Sequence, residues 1–150
     1  MAKLLKGKEV SARIKDEIKN EVIKLKERGI EPGLAVILVG DDPASKVYVN
    51  NKKKACEYTG IKSFEYLLPE STTEEELLGL IEKLNEDKEV SGILCQLPLP
   101  DHINEESVIN AISPTKDVDA FHPVNVGKIM TGNYDFVPCT PDGVMELIKE

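Results

Sequence analysis

The sequence predicts an α/β fold, a three-layer αβα domain in which a parallel β-sheet lies between two layers of helices. Residues 34–39 form an unbroken apolar run, which is typical of a strand buried on both faces. Further apolar segments at residues 61–68 and 90–96 alternate with segments of helical periodicity, as in parallel α/β sheets. We therefore expect the three segments to pair as parallel strands of one sheet.

The first two helices are predicted from apolar spacing and from glycines at their ends. The first should end at Gly29, and its apolar residues recur at helical spacing: Val10, Ile14, Ile18, Val22 and Leu25. The second follows the turn at residues 40–43 and should end at Gly60. It would connect the first strand to the second, as a crossover between parallel strands requires.

The later helices are predicted chiefly from their N-terminal signals. Overlapping Ser/Thr-x-x-Glu capping boxes within residues 71–76 precede the apolar stripe Leu77, Leu78, Ile81 and Leu84. Shorter helices are expected at residues 104–112 and 124–130. The last helix should have Thr140 as its N-cap and Pro141 as its first residue.

Composition argues against several classes of protein. The length of 150 residues fits one domain, and 27 acidic against 19 basic residues give a net charge of −8. This charge argues against nucleic acid or an anionic membrane as a partner, and neither a membrane span nor a signal-peptide core is present. Three widely spaced cysteines, in no metal pattern, indicate reduced thiols in a cytoplasmic protein without a metal site: Cys56, Cys95 and Cys139.

Polar residues cluster after two of the predicted strands. Ser45, Tyr48 and Lys52 share one face of the second helix, which follows the first strand, and Gln96 ends the third strand. Because ligands bind at the carboxyl ends of parallel strands, these groups should converge on one cleft and could handle protons there. Each residue also has an ordinary interpretation, since surface lysines are often only solvated and helical tyrosines often only pack.

Four blocks of sequence, in order, carry a family resemblance. The chain resembles the N-terminal half of the bifunctional methylenetetrahydrofolate dehydrogenase/methenyltetrahydrofolate cyclohydrolase (FolD) family, whose N-terminal domain is of the amino-acid-dehydrogenase-like type. The blocks are Gly40–Ser45 with Tyr48, Val49 and Lys52; Gly92–Pro100; Lys116–Asp119 with Pro123–Lys128; and Pro138–Pro141 with Gly143.

The resemblance implies an activity and its partners. Such enzymes oxidise methylenetetrahydrofolate with NADP and then hydrolyse the methenyl product to 10-formyltetrahydrofolate, in one-carbon metabolism that serves purine, methionine and histidine biosynthesis. A homodimer is implied for the full-length protein. Residues 1–140 would form the folate-binding, catalytic domain, and residues 141–150 would begin a helix that leads to an NADP-binding domain. No glycine-rich dinucleotide turn is found here, so we expect no cofactor-binding residue in this chain.

The resemblance also implies roles for individual residues. Lys52 would be the catalytic lysine, Gln96 would hydrogen-bond and tune it, Tyr48 would stack on the folate, and Asp119 would hold the donor edge of the pterin. Three further residues would complete the substrate site: Ser45, Leu97 and Pro98.

One departure from the family and two alternative functions accompany this prediction. Ala120 stands where the family usually has glycine, so the loop would be strained if that position needs a positive φ. A short-chain dehydrogenase also uses Ser and Tyr-x-x-x-Lys, but residues 40–43 lack its glycine-rich turn. A stand-alone folate-binding or regulatory module remains an alternative.

Overall fold

A computed structural model describes residues 4–150, in which parallel strands alternate with helices. The strands are β1 (Gly33–Val39), β2 (Lys62–Leu68) and β3 (Gly92–Cys95). The helices are α1 (Gly7–Glu27), α2 (Pro43–Thr59), α3 (Glu74–Glu86), α4 (Glu105–Ala111), α5 (Pro123–Thr131) and α6 (Cys139–Lys149). The predicted α/β fold with a parallel sheet is confirmed.

The central strand β1 pairs in parallel with β2 on one side and with β3 on the other. Its residues alternate between two cores, as the pleat requires: Ala35, Ile37 and Val39 face α3 and α4, while Val36 and Leu38 face α2. All five are at most 4% exposed, so the prediction of a strand buried on both faces is confirmed.

The strand order places the helices on opposite faces of the sheet. The chain moves from β1 outward to β2 through α2, and then back past β1 to β3 through α3. Two crossovers of the same hand that run in opposite directions must use opposite faces. The carboxyl end of β1 leads into α2, whereas that of β3 leads towards α4, which packs beside α3 on the other face. In parallel α/β sheets, a ligand crevice is expected between two such strands.

The predicted capping box at the start of α3 is confirmed. The hydroxyl oxygen of Thr73 accepts from the backbone N–H of Glu76 at 3.2 Å, and the Glu76 carboxylate accepts from the backbone N–H of Thr73 at 2.9 Å. The helix then buries Leu77, Ile81 and Leu84 against the sheet. A positive-φ glycine at residue 60 ends α2, and another at residue 132 ends α5.

The apolar stripe predicted for α1 is only partly buried. Val10 and Val22 are buried, but Ile18 is 38% exposed, because α1 packs against α2 and α6 rather than directly on the sheet. Within residues 4–150, no helix has the length and apolar character needed to cross a membrane.

Two predicted boundaries are wrong. The last helix begins at Cys139 with Pro138 in the N-cap position, so Thr140 is not its N-cap. Pro141 is tolerated as the third helical residue, because the N–H groups of a first turn have no partner within the helix. The third strand spans Gly92–Cys95 rather than residues 90–96, although Gln96 still donates its backbone N–H to Ile37 at 2.9 Å.

The segment after α4 returns to the edge of β3. Ile93 donates its backbone N–H to Lys116 at 2.7 Å and forms an isolated parallel bridge with Asp117. Glycine is needed at residue 92, because a Cβ there would lie 2.4 Å from Cγ1 of Val118. Because the segment runs parallel to β3 from the Ile93–Asp117 bridge, Asp119, two residues further on, lies towards the carboxyl end of the strand.

Candidate active site

Helix α2 enters the site through a tight turn at the carboxyl end of β1. Gly40 has a φ of +89°, and Asp42 then caps the helix, because its Oδ2 accepts the backbone N–H of Ser45 at 2.7 Å. That hydrogen bond lowers the pKa of Asp42. This cap was not predicted from the sequence, although an aspartate directly before a proline is a known signal for a helix start.

Tyr48 and Lys52 lie one turn apart on the outer side of α2. The Nζ atom of Lys52 is 5.7 Å from the centre of the Tyr48 ring, within the range of a cation–π contact. Lys52 is half-buried, whereas Tyr48 is 59% exposed and offers its ring to solvent. The arrangement leaves a flat aromatic surface open beside an ammonium group.

Gln96 joins the end of β3 to α2. Its Oε1 accepts from Lys52 Nζ at 3.1 Å, and its Nε2 donates to the carbonyl of Leu97 at 2.8 Å. Lysine can only donate and a carbonyl can only accept, so these two contacts fix the orientation of the amide. The neutral amide therefore holds the ammonium in place without neutralising its charge.

Asp119 contributes the negative charge of the site. Burial raises the pKa of this carboxyl group, and the nearby charge of Lys52 offsets part of the rise. The thiol of Cys139 lies 3.9 Å from Asp119 Oδ1. Burial and the charge of Asp119 raise the pKa of Cys139, so the thiol is not activated as a nucleophile.

The remaining predicted site residues surround this cluster, and of their groups only the Leu97 carbonyl takes part in its hydrogen bonds. Leu97 and Pro98 follow Gln96 and are joined to each other by a cis peptide bond, and the Leu97 side chain packs on the core while Pro98 is exposed. Ser45 is 3% exposed in the first turn of α2. Among the described residues, no hydrogen bond joins Ser45 to Lys52 or Gln96.

Two residues that were not predicted from the sequence to belong to the site support its loop. Asp117 is buried and accepts from the backbone of His122 and the side chain of Asn125. Asn125 is 1% exposed. Its position inside the resembling block Pro123–Lys128 was the available signal, but spacing alone does not show that an asparagine is buried.

The described residues offer little for a metal or a dinucleotide. Within residues 4–150, no group of three or more His, Cys, Asp or Glu side chains could hold a metal ion. The N-terminus of α2 is already capped by Asp42, whose carboxylate would repel a phosphate there. A dinucleotide phosphate therefore does not fit at the carboxyl end of β1.

The arrangement instead suits a flat, polar organic ligand. An aromatic surface, an immobilised ammonium and a half-buried carboxylate meet at the crevice between β1 and β3. A carboxylate can accept from an amino-substituted heterocycle, an ammonium can exchange protons with a reacting group, and a ring can stack.

Comparisons with known proteins show which family the chain resembles. Residues 5–119 match the family described as tetrahydrofolate dehydrogenase/cyclohydrolase, catalytic domain. A curated relative, the bifunctional protein FolD of Acetivibrio thermocellus, is 70% identical over 149 residues, which are 99% of this chain and 52% of that protein. The FolD of Ruminiclostridium cellulolyticum is 64% identical over the same shares of the two chains. The chain spans about half the length of the curated relatives it matches.

Solved structures give the same result for the fold. The crystal structure of FolD from Campylobacter jejuni superposes with a TM-score of 0.95 at 56% identity, over 98% of this chain and 52% of that one. The FolD of Trypanosoma brucei, which was solved with NADP cofactor and an inhibitor, has a TM-score of 0.94 at 39% identity. The superposition covers 99% of this chain and 51% of the Trypanosoma brucei chain.

Proposed function

This chain belongs to the tetrahydrofolate dehydrogenase/cyclohydrolase family, and we propose that it supplies the folate site and the catalytic lysine of both activities. The reactions are the NADP-dependent oxidation of methylenetetrahydrofolate to methenyltetrahydrofolate and the hydrolysis of that product to 10-formyltetrahydrofolate. One observation carries the proposal: Lys52 is held by Gln96 at 3.1 Å at the crevice between β1 and β3.

Lys52 is the proton-handling group of the hydrolysis. Water adds to the cationic carbon that bridges two nitrogens, and the new C–O bond forms as the water loses a proton. One C–N bond then breaks, and the departing nitrogen takes up a proton. An amine fixed beside that carbon can carry these protons between water and nitrogen, and such catalysis contributes about 10²- to 10⁴-fold in rate.

Tyr48 and Asp119 hold the substrate around Lys52. The open face of the Tyr48 ring is available for stacking on the flat ring system of the folate. The Asp119 carboxylate can accept from the amino-pyrimidine edge, a charge-assisted hydrogen bond that also fixes orientation. The side chains that complete the wall of the site are Ser45, Leu97 and Pro98.

NADP is part of the proposal as the hydride acceptor of the oxidation. A solved relative supports it, since the FolD of Trypanosoma brucei forms a complex with NADP cofactor. The residues of this chain bind and orient the folate carbon from which the hydride leaves. By family resemblance we extend the proposal to a homodimeric, cytoplasmic enzyme of one-carbon metabolism that serves purine, methionine and histidine biosynthesis.

The test compares Lys52→Gln with a matched control, Lys83→Gln. Lys83 is also a helical lysine, but it is exposed and lies on α3, on the opposite face of the sheet. We expect Lys52→Gln to lower the rate of methenyltetrahydrofolate hydrolysis, followed by absorbance, by at least about 10³-fold. Thermal unfolding should change little, because the lysine contributes nothing to either core. An unchanged hydrolysis rate in Lys52→Gln would refute the role.

A second candidate is a folate-binding module without catalysis. One observation favours it: the described residues contain ligand-facing groups but no turn suited to a dinucleotide. The two functions are separated by measuring turnover and folate binding on the same protein. Binding without oxidation or hydrolysis would select the module.

A further inference from the structure

The loop that contains Asp119 is closed by side chains rather than by secondary structure. Asp117, at its start, is 4% exposed, and its Oδ2 accepts the backbone N–H of His122 at 2.9 Å. The same Oδ2 accepts from Nδ2 of Asn125, on α5, at 2.9 Å. Residues 118–121 therefore form a short loop. It begins after Asp117, and the Oδ2 atom of Asp117 also binds the residues that follow the loop.

The side-chain amide of Asn125 is held in an orientation that leaves its oxygen without a hydrogen-bond partner among the described residues. Its Nδ2 donates to both the carbonyl of Pro114 and the carboxylate of Asp117, and neither partner can donate in return. The amide therefore cannot be turned around, and its Oδ1 is left buried without a hydrogen-bond partner among the described residues. Such an orphaned acceptor lowers the free energy of unfolding, because it gives up its hydrogen bonds to water without replacing them.

A second local cost lies next to Asp119 itself. Ala120 has a φ of +56° and is fully buried, so a residue with a side chain occupies the left-handed region at the centre of the loop. Backbone strain of this kind persists where the surrounding structure imposes it, and it clusters at functional sites. The orphaned acceptor and the strained alanine both belong to the segment that positions the Asp119 carboxylate.

We propose that Asp117 and Asn125 form a positioning pair that sets the distance of the Asp119 carboxylate from Lys52 and so determines how tightly the pterin edge of the folate is held. Neither residue touches the substrate in this proposal; both act through Asp119. The inference rests on the proposed folate-binding role of Asp119, and it adds two residues that set the geometry of that contact.

The variant that breaks the pair is Asn125→Asp. Its new carboxylate would face the Asp117 carboxylate at the present 2.9 Å contact, and both donated hydrogen bonds would be lost. Two buried like charges at this distance repel, so the loop should move. The matched control is Asn133→Asp, the same chemical change at an exposed residue just after α5.

Two readouts follow the position of Asp119 rather than the stability of the fold. The first is the KM for methylenetetrahydrofolate in the complete protein, which should rise about 10-fold in Asn125→Asp, the size of one hydrogen bond to a charged group. The kcat should stay within about 3-fold, because the lost contact serves substrate and transition state alike. Asn133→Asp should match the wild type.

The second readout needs no folate. The charge of Asp119 helps to raise the pKa of Cys139, so displacing that carboxylate should increase the thiolate fraction and the rate of alkylation by iodoacetamide. We expect about a 3-fold or greater increase at fixed pH in Asn125→Asp. Peptide mass spectrometry separates Cys139 from the two buried thiols, Cys56 and Cys95, and burial raises the pKa of Cys95 to about 12.

The outcomes separate the two proposals. If the wild-type protein neither binds nor converts folate, the proposed function fails, while the alkylation rate still tests the positioning pair. If a folded Asn125→Asp protein has wild-type KM and a wild-type alkylation rate, the positioning pair is refuted. If Asn125→Asp does not fold, Asp117→Asn takes its place, since it keeps an acceptor oxygen and removes only the charge. At least a 2-fold change in both readouts is then expected, and no change refutes the pair.

Discussion

The two halves of the site are built in different ways. Lys52 and Gln96 project from regular elements, α2 and the end of β3, whose backbone hydrogen bonds are satisfied within the helix and the sheet. Asp119 lies in an irregular loop that depends on the side chains of Asp117 and Asn125 and contains a strained Ala120. The first half needs no unusual residue, whereas the second has two local energetic costs.

This difference indicates which functions each half can perform. Elements packed on both sides hold a reacting group within a narrow range of positions, which proton transfer requires. A loop closed by three hydrogen bonds can shift when one of them is lost, so it suits a contact that sets affinity. We therefore expect damage to the Lys52–Gln96 half to lower kcat, and damage to the Asp119 half to raise KM.

After Lys52→Gln, the largest expected effect comes from Gln96→Ala. Without the amide, Lys52 loses its only direct hydrogen-bond acceptor among the described residues, and hydrolysis should fall about 100-fold in kcat, the usual cost of a misplaced catalytic group. Folate affinity should change little, because the Asp119 loop is untouched. Steady-state kinetics and equilibrium binding measure the two separately.

A double-mutant cycle is the control for that prediction. If Gln96 acts through Lys52, adding Gln96→Ala to Lys52→Gln should cause no further loss. A further 100-fold loss in the double variant would mean that Gln96 has a role of its own, and the comparison between the two halves would have to be revised.

The sequence predicted the first half of the site more completely than the second. The apolar run of β1 and the helical spacing of α2 place Tyr48 and Lys52 on one face, and the end of the third strand places Gln96 at the same edge. Such periodic patterns follow directly from buried surfaces, so they are readable from residue types alone.

The loop half depended on contacts that no periodicity reveals. The resemblance supplied Asp119 and raised the possibility of strain at Ala120, and a positive φ is found there. The burial of Asn125 and its bond to Asp117 were not predicted, because an isolated polar residue in an amphipathic segment gives no sign of its partner. The start of α6 was misplaced for a similar reason, since Thr140-Pro141 fits more than one position of a first turn.

An effect of intermediate size is expected for Asp119→Asn. The amide keeps one acceptor and loses the charge, so folate affinity should fall about 10-fold while the Lys52–Gln96 contact persists. Titration calorimetry with a folate would measure the affinity, and Asp101→Asn, in an exposed turn, is the matched control. A wild-type affinity in Asp119→Asn would remove Asp119 from the binding site.

The same variant makes a prediction about pH. Burial raises the pKa of Asp119 above its ordinary value of 3.8, so the contribution of this group to stability is fully present below that value and is lost as pH rises through the raised pKa. At neutral pH, Asp119→Asn should therefore have a higher Tm than the wild type, and the difference should vanish at low pH. Wild-type folate affinity should instead fall as pH decreases through the raised pKa, because the neutral acid is a weaker acceptor.

The smallest effect is expected for Ala120→Gly, and it tests the strain in the loop directly. An alanine in the left-handed region costs about 1–2 kcal/mol relative to glycine. Two terms oppose the gain: the buried methyl group is worth about 0.8 kcal/mol, and glycine adds freedom to the unfolded chain. These terms nearly cancel, so we expect the free energy of unfolding to change by no more than about 0.5 kcal/mol, and Tm by no more than roughly 2 °C.

The matched control for this prediction should lose stability, because it has no backbone strain to relieve. Ala12 is exposed in the middle of α1, where φ is helical, so Ala12→Gly should destabilise the protein by about 0.5–1 kcal/mol. If Ala120→Gly destabilises as much as Ala12→Gly, the buried methyl group outweighs the strain. The loop would then be held by packing around Ala120 as well as by Asp117 and Asn125, and the two halves of the site would differ less than their backbone conformations suggest.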